Sequence, residues 1–232
     1  VVRANPEGWI EPHECIATAT IPDGVELQLI RHGADFTIAI DDNDLMSTRV
    51  SGSEVALATM THARLGSRAE ADWLIGGYGM GFTLRAALEA LGDDASVTVA
   101  ELVPEIIEWA RGPMHALTAD CLDDRRVQLV NQDVATLIGA AAAGYDAILL
   151  DVDNGPEGLS CRANDYLYSD RGLAAALRAL KIGGILAVWS AFDDPRFSAR
   201  LKATGFEVAE VKVSDGHEAD GDTHVLWFAR KG

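Results

Sequence analysis

The sequence predicts an α/β fold: a doubly wound, mostly parallel sheet of seven strands that ends in an antiparallel C-terminal hairpin and follows a small N-terminal β-meander. Three observations predict it. From Ala71 onward, short apolar runs of strand character alternate with helical stretches. A glycine-rich turn joins the first of those strands to the first helix. The last two strand-like runs follow one another with no helix between them. A chain of 232 residues accommodates one large domain and a small appendage.

The appendage is assigned to residues 1–66 and the sheet domain to residues 67–232. Extended runs at 16–21, 25–31 and 36–41 are broken by Pro22-Asp23-Gly24 and by His32-Gly33-Ala34-Asp35. Apolar and polar residues alternate along Val25-Glu26-Leu27-Gln28-Leu29, the rhythm of a half-buried antiparallel strand. Three or four such strands form a meander, which needs another layer to pack on. A helix over 53–65 then carries Val55, Leu57, Ala58 and Met60 as its apolar positions.

In the larger part, strands are expected at 73–76, 96–102, 126–132, 145–151 and 184–190. Helices are expected at 82–91, 104–115, 134–143 and 172–180, with a fifth from Pro195 to Thr204. Pro104 suits the first position of a helix, Ser169 or Asp170 can cap the fourth helix, and Gly205 can close the fifth. Apolar strands alternating with helices imply a parallel sheet covered on both faces. Runs 206–213 and 224–230, joined by a polar loop, require an antiparallel pairing at the end of that sheet.

The residues that carry chemistry lie where strands end. Gly77, Gly79 and Gly81 follow the strand at 73–76 and precede the helix that starts at Phe82. Glycines allow a tight turn and close approach of backbone to ligand, and the helix start directs free N–H groups at it. Glu101 ends the second strand twenty residues beyond Gly81, where doubly wound folds place an acid on ribose hydroxyls. Asp133 ends the third strand, in reach of a nucleobase amino group, and Asp151 and Asp153 end the fourth. Ligands of open α/β sheets bind at this carboxyl edge.

Taken in order, these pieces resemble the spermidine synthase family, within the class I S-adenosylmethionine-dependent methyltransferase superfamily. The resemblance runs from about Asp44 to Tyr168. The family's GGGDGGxLRE-type turn is matched by Gly77-Tyr78-Gly79-Met80-Gly81-Phe82-Thr83-Leu84-Arg85, and its strand-end acids by Glu101 and Asp133. Its D-x-x-D-P loop and Leu-Phe/Tyr element are matched by Asp151-Val152-Asp153-Asn154-Gly155-Pro156 and Leu167-Tyr168. The resemblance implies a Rossmann-like methyltransferase fold, which ends in such a hairpin. It implies a nucleoside donor, S-adenosylmethionine or its decarboxylated form, held by the three glycines, Glu101 and Asp133. It makes Asp151 the catalytic base, with Asp153, Asn154 and Tyr168 around the acceptor.

The sequence departs from the family where the two amines would be gripped. Met80 stands for the Asp of the glycine turn, Asn154 for the second loop acid, and Leu57-Ala58-Thr59 for a Tyr-His-Glu run. The expected reaction is therefore methyl transfer from S-adenosylmethionine to a small amine. The alternatives are aminopropyl transfer from decarboxylated S-adenosylmethionine, and nucleoside binding without catalysis.

Composition narrows the partners. With Lys+Arg 19 against Asp+Glu 36, the formal charge is −17, which repels nucleic acid and attracts amines. Cys15, Cys121 and Cys161 form no CxxC pair, so neither a disulfide framework nor a zinc site is expected, and no metal. No apolar run reaches the roughly 18–20 residues of a membrane span, and residues 1–14 hold no signal-peptide core. A cytoplasmic protein is expected, acting on a small cationic amine and pairing with itself as a homodimer, without nucleic acid or membrane. Trp73, Trp109, Trp189 and Trp227 are expected in the core, and the histidines lack metal-ligand spacing.

Overall fold

Alternation in the first fifty residues yields four antiparallel strands. They are β1 (His13–Thr20), β2 (Glu26–His32), β3 (Asp35–Ile40) and β4 (Asn43–Ser47), paired in the order β1-β2-β3-β4. The structure, a computed structural model, describes residues 13–21, 24–40, 43–152, 154–156, 164–214 and 223–232. Leu27 faces Ile40 and Leu29 faces Ile38 across β2 and β3, so one face of the meander is aliphatic. Helix α1 (Gly52–Leu65) follows and packs against the segments Phe82–Ala90 and Leu180–Ser190 of the larger part.

The larger part contains β5 (Asp72–Gly76), α2 (Phe82–Ala90), β6 (Ser96–Ala100), α3 (Pro104–Arg111) and α4 (His115–Thr118). A short 3-10 turn at Cys121–Asp123 leads to β7 (Val127–Val130), α5 (Val134–Ala140), β8 (Tyr145–Leu150) and α6 (Asp165–Tyr168). The chain ends with α7 (Asp170–Ala179), β9 (Leu180–Ser190), α8 (Pro195–Thr204), β10 (Phe206–Ser214) and β11 (Thr223–Lys231). The seven strands run β10-β11-β9-β8-β5-β6-β7. Strand β11 is antiparallel to both neighbours, and the pairs among β7, β6, β5, β8 and β9 are parallel. The predicted sheet and its terminal hairpin are therefore present.

Local differences have local causes. The helix expected over 104–115 stops at Arg111, because Gly112 and Pro113 break it and Pro113 has no N–H to donate. Helix α4 resumes beyond that break. Strand β9 begins at Leu180 rather than 184, since the chain leaves α7 directly into a pairing of Leu180 with Tyr145. A register shift then brings Ile185 opposite Ala147.

The sheet is covered on both sides, as a near-continuous apolar parallel sheet requires. One core joins the meander, α1, α2 and α3 around Trp73, Leu57 and Leu84. The other packs α5, α7 and α8 around Phe197, Trp227 and Leu186. Trp73, Trp109 and Trp227 are core residues, as expected. Among the described residues, no helix is long and apolar enough to cross a membrane.

Ionic contacts clamp the sheet's amino edge. Asp146, buried at the start of β8, accepts from Arg68 Nη1 at 2.6 Å, Lys181 Nζ at 2.8 Å and the Asp72 N–H at 2.9 Å. Burial opposes ionisation of Asp146, but the bonds from Lys181, Asp72 and Arg68 outweigh it and hold the carboxyl below its ordinary 3.8. Replacing Asp146 with Asn is expected to cost about 1.5–3 kcal/mol at pH 7, the range for hydrogen bonds to a charged group. A depressed carboxyl stabilises above its unfolded pKa and loses that as pH falls through the folded value. Denaturant unfolding should therefore show the gap between the two proteins closing as pH falls below 3.8.

Candidate active site

Strand β5 carries Trp73, Leu74 and Ile75 to the middle of the sheet, and the glycine turn begins where it ends. Gly77 donates its N–H to Ala100 O at 2.9 Å, and Asp151 donates its own to Gly76 O at 3.0 Å. Gly77 has φ +85°, and a Cβ there would run into the carbonyl oxygen of Asp151. Gly79, at φ +54°, lies under Met46, whose Cε would be 2.6 Å from an added Cβ. Gly81 caps α2 and receives the Tyr78 ring; it closes the turn without lining the cavity. The Tyr78 hydroxyl lies 3.6 Å from Cys121 Sγ, and burial pushes its pKa up, so the ring is a neutral anchor beneath the turn.

A cavity of about 170 Å³ opens between this edge and the meander. Of the residues singled out in the sequence, Gly77, Gly79, Glu101, Asp133, Asp151 and Asn154 line it. Glu101 is 6% exposed, and its two oxygens accept from the Tyr78 and Val103 N–H groups at 2.8 Å each. It therefore straps the glycine turn to the start of α3 as well as facing the cavity. Burial raises its pKa, while N–H bonds from Val103, Tyr78, Gly79 and Leu102 favour the ionised form. Asp133 caps α5 through Oδ1, which accepts the Ala135 N–H at 2.8 Å. Asp151, half-buried, accepts the Thr83 hydroxyl at Oδ2 over 2.7 Å.

Other sequence-based expectations are placed differently. Tyr168 is 3% exposed, turns its ring edge to Phe197 at 5.8 Å, and does not line the cavity. Helix α6 turns it inward with Leu167 and leaves Tyr166 exposed. Met80 is buried in the core beside α2, and its side chain does not face the cavity. Its N–H instead donates to Met46 Sδ at 3.1 Å. Asp153 and Cys161 lie outside the described residues.

The sequence reading missed Glu54, Thr83 and Trp189. Glu54, in the first turn of α1, lines the cavity at 7% exposure and accepts the Ser53 hydroxyl at 2.7 Å. Ser53 in turn accepts the Trp189 indole N–H at 2.9 Å. Trp189, in the core as expected, also forms part of the cavity wall. The family's polar run was aligned on Leu57-Ala58-Thr59, yet Leu57 and Ala58 are buried in the apolar core and Thr59 points to solvent. The acid stands one turn earlier, and a lone Glu opening an otherwise apolar helix face was the available signal.

Among the described residues, no lysine, arginine or histidine lines the cavity. Glu54, Glu101, Asp133 and Asp151 therefore give it a field that favours cations. Among the same residues, no group of three His, Cys, Asp or Glu side chains is arranged to hold a metal.

A glycine turn and strand-end carboxylates at the switch edge of a doubly wound sheet define a Rossmann-like α/β protein. The spermine/spermidine synthase domain matches residues 59–198, and the chain belongs to that family. The polyamine aminopropyltransferase of Mycobacterium tuberculosis is 28% identical over 197 residues, 81% of this chain and 36% of that protein. Its counterpart from Corynebacterium efficiens is 28% identical over 187 residues, 78% of this chain and 34% of that protein. The chain thus spans about a third of the length of these relatives. Spermidine synthase from Thermotoga maritima superposes with a TM-score of 0.73 at 19% identity, covering 94% of this chain and 73% of that one. A spermidine synthase in complex with the transition-state analogue AdoDATO gives 0.70 at 19% identity, over 94% and 72%.

Glu101→Ala would strand the buried N–H groups of Tyr78 and Val103. It is expected to lower stability by about 2–3 kcal/mol, the cost of unsatisfied buried donors. Chemical denaturation measures this, and 5′-methylthioadenosine titration of the folded variant should show at least a tenfold loss of affinity.

Proposed function

We propose that this chain transfers an aminopropyl group from decarboxylated S-adenosylmethionine to a small amine. The carrying observation is the cavity lined by Glu54, Glu101, Asp133 and Asp151 with no cationic side chain among its described residues. A donor that keeps its carboxylate would be repelled there, whereas one ending in an ammonium is attracted. The expectation of methyl transfer leaned on Met80 sparing such a carboxylate. Met80 is turned into the core, and Glu54 supplies an acid nearby. The sequence likeness to polyamine aminopropyltransferases supports the same reading.

In this mechanism the carboxyl edge holds the nucleoside. Glu101 accepts from the ribose hydroxyls and the free oxygen of Asp133 from the adenine amino group. Gly77 and Gly79 let the aminopropyl chain on the sulfonium lie against the backbone. The acceptor gives up a proton to Asp151, which the Thr83 hydroxyl holds in position. The nitrogen lone pair then forms a bond to the propyl carbon in line with the breaking C–S bond, whose electrons leave on sulfur as a neutral thioether. Orientation and exclusion of water supply most of the acceleration.

Incubation with decarboxylated S-adenosylmethionine and amines should release 5′-methylthioadenosine and an aminopropylated amine, identified by mass spectrometry. Methylation by intact S-adenosylmethionine instead would reverse the assignment. Asp151→Asn is expected to lower turnover by about 10²–10⁴-fold, the worth of a general base. Donor affinity should fall far less than turnover in that variant. Intact turnover would remove Asp151 from the chemistry.

A further inference from the structure

A second pocket, of about 180 Å³, lies at the sheet's amino edge, away from the glycine turn. Strand β5 starts beside it and leaves for the active-site cavity after Gly76. Helix α2 begins at the glycine turn and ends here with Ala90, and the last turn of α1 brings His62 and Leu65. Trp73 borders this pocket at 1% exposure, yet its indole Nε1 has no hydrogen-bond partner among the described residues. A buried donor left unbonded is costly, and native folds rarely keep one. One water needs only about 10–15 Å³. The pocket is many times larger, with room for a small organic molecule.

Its chemistry favours an acceptor. Among the described residues, the polar side chains that line it are His62, Ser67, Arg68 and Trp73, and none is an acid. The lining stretches, 62–73 and 90–92, are described throughout. Cations gather behind Arg68. Its Nη2 and Arg230 Nη1 both donate to Gly183 O, at 3.0 and 2.9 Å, and Arg230 Nη2 donates to Arg64 O at 2.6 Å. Asp146 pairs with Arg68, and Lys181 lies between Asp146 and Asp72. Arg64, Arg68, Lys181 and Arg230 thus outnumber the two acids bonded among them, in a chain of formal charge −17. Glu70 and Asp94, beside the pocket, are exposed and screened by solvent. Free carbonyls at helix ends repel anions, but these are covered. Arg126 Nη1 donates to the Leu88, Leu91 and Gly92 carbonyls at 2.9, 3.0 and 3.3 Å, and Gly66 N–H to His62 O at 3.0 Å.

We propose that this pocket binds a small aliphatic carboxylate. One oxygen accepts the Trp73 indole N–H, the charge faces Arg68, and the carbon tail rests on Leu65, Ala71, Ala90 and Leu91. The pocket shares no residue with the active-site cavity, so the proposal stands apart from the transfer reading.

Butyrate is the probe, titrated into the whole isotope-labelled chain and followed by nuclear magnetic resonance. The Trp73 indole signal is assigned by its loss in Trp73→Phe. A saturable downfield shift of that proton is expected, with a Kd of about 10 mM or tighter for a ligand of this size. n-Butanol and n-butylamine, matched in length, are expected to bind about tenfold or more weakly, as is butyrate to Trp73→Phe by calorimetry. Ala90→Glu places a carboxylate at the pocket and is expected to weaken butyrate by about tenfold or more. An indole signal that does not shift, or n-butanol bound as tightly as butyrate, overturns the proposal. Undiminished butyrate affinity in folded Ala90→Glu or Trp73→Phe overturns it too, as does saturable binding of inorganic phosphate with none of butyrate. The wild-type titrations decide the matter where a variant fails to fold.

Discussion

The cavity depends on one close approach, that of the turn after β5 to the end of β8. Gly77 lies so near the Asp151 carbonyl that any side chain would force the two strand ends apart. Three backbone and side-chain bonds lace the same region together. Asp151 N–H reaches Gly76, Gly77 N–H reaches Ala100, and Tyr78 N–H reaches the Glu101 carboxylate. Strands β5, β6 and β8 thereby end in register, and their acids face one space. A larger residue at position 77 would scatter the acids that line the cavity.

Bringing four carboxylates around about 170 Å³ carries an electrostatic cost, since like charges at close quarters favour protonation. The fold offsets it with a dedicated donor for each. Backbone N–H groups serve Glu101 and Asp133, the Thr83 hydroxyl serves Asp151, and the Ser53 hydroxyl serves Glu54. Neutral donors stabilise the charges without cancelling them, so a cationic ligand still meets a negative field. A lysine or arginine in those roles would have stabilised the acids and repelled the amine.

Much of this was legible in the sequence, and for a clear reason. Strand and helix periods, the three glycines and the strand-end acids are local signals, and their order fixes their place on a doubly wound sheet. The roof of the cavity is not local. Glu54, Trp189 and Ser53 meet across more than a hundred residues of chain, and no spacing rule connects them. Tyr168 shows the opposite failure. It follows the Asp151 loop in sequence, but in a helix of four residues no apolar period reveals which side turns inward. Glu101 was read correctly as a cavity residue, while its service to the backbone of the glycine turn came from contacts that only the folded chain displays.

The aliphatic wall of the active-site cavity and its strand-end acids belong to separate stretches of chain. The wall is carried by the meander segment, residues 13–47, and the glycine turn and strand-end acids stand beyond residue 76. The meander's hydrogen-bond ladder, in the order β1-β2-β3-β4, is separate from that of the seven-stranded sheet. Only Met46 of its inner face reaches the glycine turn by a hydrogen bond among the described residues, so the two parts meet chiefly through apolar packing. Such an arrangement lends itself to divergence by exchange: recombining the leading segment with that of a related gene would reshape one wall of the cavity and keep the strand-end acids. Diversity among relatives should then concentrate in the first fifty residues, with the strand ends held nearly constant.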